Sequence, residues 1–186
     1  MFKRKKGQCK AMTVSLAILF AVGLVLGTLA LHYVPDEILK DVTQALEISD
    51  NKSFLVLLKE NFCFEILWVA ALWLSGTNGF SAPFTGAVIA MRGFVLGFTR
   101  AFILTGSHNE NLLYTHLLPQ CVTALPCMSL IALICILYAQ EKSRHDRHNG
   151  VNYLLYGIGF VFLAFLMAAI ESGMVLMLVK CFKIGS

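Results

Sequence analysis

Residues 61–105, NFCFEILWVAALWLSGTNGFSAPFTGAVIAMRGFVLGFTRAFILT, hold two apolar segments joined by a short turn of Gly, Ser and Pro. In the second segment Gly86, Ala90, Gly93, Gly97 and Ala101 follow one another at spacings of four, three, four and four. At about 100° per residue these five fall on one narrow helical face. Such a seam lets a membrane helix press its backbone against a neighbour, and Gly93 with Gly97 forms a GxxxG pair inside it. The same segment carries Arg92 and Arg100, which are costly in lipid unless protein surrounds them or they reach an interface. The expectation is an all-α integral membrane protein with closely packed helices.

Composition agrees. The 186 residues are 58% hydrophobic and 14% charged, with a mean hydropathy of +0.73. Soluble domains hold about 45–50% apolar and about 25% charged residues. The net charge of +4 does not point to nucleic acid, because the basic residues sit beside apolar spans, where they set orientation. No basic stripe interleaved with aromatics occurs. Cys9, Cys63, Cys121, Cys127, Cys135 and Cys181 show no CxxC spacing. Several lie in apolar runs, where cysteine behaves as a small hydrophobe, so no metal or other cofactor is expected.

Outward from the opening stretch, residues 1–10 form a basic tail with Lys3, Arg4, Lys5, Lys6 and Lys10. The uncharged run 11–31 that follows is long enough to cross a bilayer. It reads as a retained anchor with its basic end in the cytoplasm, since a cleaved leader would have an apolar core of only about 7–15 residues. Residues 32–60 are the one sizeable polar region, with Asp36, Glu37, Asp41, Glu47, Asp50 and Glu60 against Lys40, Lys52 and Lys59. Ile38, Leu39, Val42, Ala45 and Leu46 share a face there, so an amphipathic extracytoplasmic segment is expected. Residues 61–179 then read as a four-helix membrane bundle with spans at 62–76, 84–106, 121–140 and 153–179. The tail 180–186 closes the chain. Alternation over five spans puts both basic segments, 1–10 and 141–150, in the cytoplasm and the C-terminus outside.

Glu65, Arg100 and Glu171 are the candidates for an intramembrane charge pair. The last span carries a second small-residue seam, Gly157, Ala164, Ala168 and Ser172, with Glu171 beside it. On these boundaries Arg100 and Glu171 both lie in the outer half of the bilayer, close enough in depth to pair across helices, while Arg92 lies on a different face. Ionisable groups in a membrane can also mark an ion or proton path. Catalysis finds no footing: HExxH, GxSxG and Walker-type loops are missing from the sequence. Ser107, His108 and Glu110 cluster in a short polar loop that reads as solvated.

The run Met91-Arg92-Gly93-Phe94-Val95-Leu96-Gly97-Phe98-Thr99 resembles the KGxxxGFT-like core of the stage II sporulation protein M family, with Arg92 where a lysine is frequent. Leu117-Leu118-Pro119-Gln120, followed by Pro126, is similar to that family's LPQ stretch and second proline. The resemblance covers roughly residues 55–180. It implies a polytopic, non-enzymatic organiser of the septal and engulfing membrane during endospore formation. The partners it implies are two cell-wall hydrolases, stage II sporulation proteins D and P. The competing expectation from the residues alone is the membrane subunit of a small transporter.

Overall fold

The computed structural model describes residues 2–35, 53–77, 81–106, 110–142 and 150–184. All of the regular structure there is helical: α1 (Phe2–Ala30) with a 3-10 turn at Leu31–Tyr33, α2 (Phe54–Ser75), α3 (Ser81–Gly106), α4 (Glu110–Pro119), a π-helical turn at Gln120–Ala124, α5 (Leu125–Lys142) and α6 (Gly150–Ile184). Four stretches, Lys10–Tyr33, Ser81–Thr105, Leu117–Gln140 and Tyr153–Cys181, are long and apolar enough to cross a membrane. With 22 residues, α2 is about 33 Å long, but Lys59, Glu60 and Glu65 dilute its apolar character.

Contacts between helices fix their directions. Gly23 and Gly27 of α1 meet Ala90 and Phe94 of α3 in the same order, so these two helices run parallel. In contrast, α2 meets α3 through Ser75 with Thr85 and Glu65 with Arg92, and is antiparallel to it. Asn61 touches Ser172, and Trp73 touches Tyr153, which makes α6 antiparallel to α2. Thr123 lies at Glu171 and Cys135 at Tyr153, so α5 opposes α6. The five long helices therefore alternate in direction. Their shared core includes Val69 and Leu72 from α2, Ile89 from α3, Met128 and Ile131 from α5, and Met167 from α6.

Several boundaries differ from the sequence reading. Instead of starting beyond the basic tail, α1 continues through it. The second helix begins at Phe54, seven residues before the expected bundle boundary at 61. Its buried positions Leu57, Glu65, Val69, Leu72 and Ser75 show why: one face continues unbroken at helical spacing past Lys59 and Glu60. Pro126, the second residue of α5, clashes with the carbonyl four residues earlier in a regular helix. That residue, Val122, sits in the π turn, whose wider register takes up the disruption. The expected amphipathic segment lies mostly in 36–52, and the polar loops mostly in 107–109 and 143–149, all outside the described residues.

Candidate functional site: buried polar contacts between the helices

The small-residue seam of α3 faces α1. A Cβ on Gly93 would overlap the Phe20 carbonyl, and one on Gly97 the Leu24 carbonyl. The reverse holds for Gly23 at Ala90 and Gly27 at Phe94, so two glycine pairs mesh backbone to backbone. Sequence reasoning missed Gly23 and Gly27, although they repeat the GxxxG spacing of Gly93 and Gly97. Thr28 hydroxyl reaches the Gly97 carbonyl at 3.4 Å. Gly86 meets only a Leu19 methyl, and Ala101 is buried in a small cluster with Leu31, Phe102 and Ile103.

A second face of α3, carrying Ser81, Thr85, Arg92 and Leu96, is turned to the rest of the bundle and is buried. Halfway along it, Arg92 Nη2 donates to Glu65 Oε1 of α2 in a fully buried ion pair. The guanidinium carbon lies 4.6 Å from the Phe64 ring centre and 5.5 Å from that of Trp68. Those rings stand edge to face on α2, and their π faces attract the cation where carboxylate does not. Glu65 Oε2 and Arg92 Nε and Nη1 have no hydrogen-bond partner among the described residues.

Arg100 is the charge that does not join. It is exposed, eight residues and about 12 Å along the axis from Arg92, and its expected pairing with Glu65 or Glu171 is corrected to Arg92 with Glu65. The reason is the early start of α2. It makes Glu65 the twelfth residue of 22, mid-helix like Arg92, instead of a group near the outer end.

On α6, Ala164, Ala168 and Ser172 are fully buried, while Gly157 is half-buried beneath the Trp73 indole. Asn61 Nδ2 donates to Ser172 Oγ at 3.0 Å, and Ser172 in turn donates to the Ala168 carbonyl at 2.7 Å. Glu171 is 3% exposed, with Thr123 Oγ1 of the π turn 3.0 Å from its Oε1. One turn of α2 separates Asn61 from Glu65, so Glu65, Arg92, Thr123 and Glu171 form one polar layer.

A second layer lies toward the start of α6. Tyr153 hydroxyl donates to the Trp73 carbonyl, and Trp73 Nε1 donates to the Tyr153 carbonyl at 3.3 Å. The Trp73 and Tyr153 rings stack at 5.7 Å, and Tyr138 stacks on Tyr153 at 4.1 Å. Ser75 Oγ donates to the Leu72 carbonyl, which makes Thr85 the donor in its 2.6 Å contact with Ser75. Tyr153→Phe keeps the stack and loses one hydrogen bond. It is expected to cost about 1 kcal/mol, read as a modest fall in melting midpoint in detergent.

Among the described residues no group of three or more His, Cys, Asp or Glu is placed to hold a metal ion. What the arrangement does chemically is tie helix to helix through polar groups that lipid cannot satisfy. Comparison with curated proteins and with solved structures finds no match. The model of the family described as stage II sporulation protein M matches residues 16–174, from the first helix through both glycine seams and the π turn to the last buried carboxyl, and the chain belongs to that family.

Proposed function

We propose that this membrane protein of a sporulation family is a non-enzymatic scaffold that localises peptidoglycan-remodelling enzymes in the engulfing membrane. The observation that carries the reading is where its buried polar groups go. Glu65 meets Arg92, Asn61 meets Ser172, Ser75 meets Thr85 and Tyr153 meets Trp73, each a contact between two helices. Groups spent this way stiffen a frame. Family membership points to the process, and the partners we propose are stage II sporulation proteins D and P.

Orientation follows from charge and helix direction. Lys3, Arg4, Lys5, Lys6 and Lys10 at the head of α1 favour the cytoplasm for that end. The start of α6 lies on the same side because α6 runs parallel to α1. The ends of α1 and α6 then face outward, the side on which the hydrolases would be met.

Deleting the gene in its host and imaging fluorescent hydrolases at the onset of sporulation tests this. Hydrolases dispersed from the septum, together with their recovery alongside the full-length tagged protein from detergent extract, are the expected results. Septal hydrolases in the deletion strain would refute the scaffold. The transporter reading is favoured by the buried Glu65, Arg92 and Glu171 beside a π turn. Solute flux through liposomes holding the purified protein alone would decide for it.

A further inference from the structure

Among the described residues, the central polar layer contains two carboxyls and one cation. That cation is Arg92, and its ion-pair partner is Glu65. Glu171 has a hydroxyl, Thr123 Oγ1, 3.0 Å from its Oε1. That same hydroxyl lies 2.6 Å from the Pro119 carbonyl oxygen. A threonine hydroxyl has one hydrogen to donate, and a carbonyl oxygen can only accept. The shorter contact takes that hydrogen. Two oxygens, on Thr123 and Glu171, then face each other at hydrogen-bond distance with no proton supplied by Thr123. A carboxylate would set lone pair against lone pair there, whereas a carboxylic acid donates.

We infer that Glu171 is a proton-binding site: its carboxyl is held in the neutral form, with Oε1–H donating to Thr123 Oγ1 and Thr123 donating onward to the Pro119 carbonyl at the mouth of the π turn. Charge balance supports the same assignment. Among the described residues, the titratable groups around Glu171 are Glu65 from α2, Arg92 from α3 and the Cys127 thiol from α5, while Tyr114 of α4 is exposed. With both carboxyls ionised the layer would carry a net negative charge away from water. With Glu171 protonated it is neutral, the usual outcome when two carboxyls share one site. The proton thus sits at the joint that holds α6 to the π turn. Losing it would remove that hydrogen bond and set a second anion beside Glu65.

Two measurements on full-length protein test the assignment. Infrared spectroscopy in liposomes at neutral pH is expected to show the carbonyl band of a protonated carboxylic acid, shifted by exchange into heavy water and absent from Glu171→Gln. The Gln side chain can donate the same hydrogen bond, so this variant is expected to melt close to wild type at neutral pH. If Glu171→Gln instead removes carboxylate intensity and leaves the acid band, the assignment is overturned. A Gln variant that fails to accumulate would also overturn it, because loss of an ion, and not of a neutral acid, would then be the cause.

Discussion

Gly97→Val is expected to remove most of the protein from the membrane fraction. Its first methyl-bearing carbon would occupy the place of the Leu24 carbonyl, and that carbonyl belongs to a helix backbone that cannot swing aside. Relief requires α1 and α3 to separate along their length, which also opens the contacts of Gly23, Gly27 and Gly93. Overpacking in a filled core costs about 1–3 kcal/mol, and a backbone obstacle at a doubled glycine seam belongs at or above the upper end. The control is internal. Gly159 and Gly173 have open space where a Cβ would go, so Gly159→Ala and Gly173→Ala are expected to leave accumulation unchanged. Gly86→Ala should be mild, since the obstacle there is the tip of Leu19, a flexible side chain. Immunoblots of membranes from matched cultures read the series. Equal levels for Gly97→Val and Gly159→Ala would show that α1 and α3 are not in contact.

Arg92→Met should be the next most damaging change. It leaves Glu65 fully buried without its cation, a loss on the order of 3–5 kcal/mol. Glu65→Gln is expected to hurt less, because the amide oxygen still accepts from the guanidinium. The diagnostic variant is the double replacement Arg92→Met with Glu65→Leu. Apolar side chains of similar volume often match a buried ion pair in stability, so the pair is expected to recover most of what Arg92→Met loses. Arg100→Ala, at an exposed position, is expected to change stability by about 0.5 kcal/mol or less, read from the melting midpoint in detergent. If Arg100→Ala were the more severe of the two arginine variants, the charge pairing described above would be wrong.

The membrane class, the family and the small-residue seams could be read from the chain because each depends on a local pattern: hydropathy over about twenty residues, or spacing of four. The partner of Arg92 could not be read so directly. The seam at Gly86, Gly93 and Gly97 drew attention to one face of α3, while Ser81, Thr85 and Arg92 mark a second buried face, polar at intervals of four and seven. Depth misled as well. Lys59 and Glu60 suggested a polar outer segment, yet Leu57 continues the buried face of Val69 and Leu72, and Ser53 stands at the N-cap position before Phe54. Had the helix been started there, Glu65 and Arg92 would have come out at matching depth. The hydroxyl chain through Thr123 depends on the π turn, whose register no residue spacing announces.

Thr28 and the Gly97 carbonyl are 69 residues apart in the chain, and the first helix has its main contact with the helix that carries that carbonyl. At about 5–20 residues per second, synthesis delivers the second half of this interface roughly 3–14 s after the first. For that interval the leading segment is a newborn anchor showing bare glycine backbone to lipid or to whatever insertion machinery escorts it. Assembly in the bilayer thus has to be out of order: an earlier helix is completed by one made two helices later, and a ribosome that stalls between them leaves an orphan for quality-control proteases.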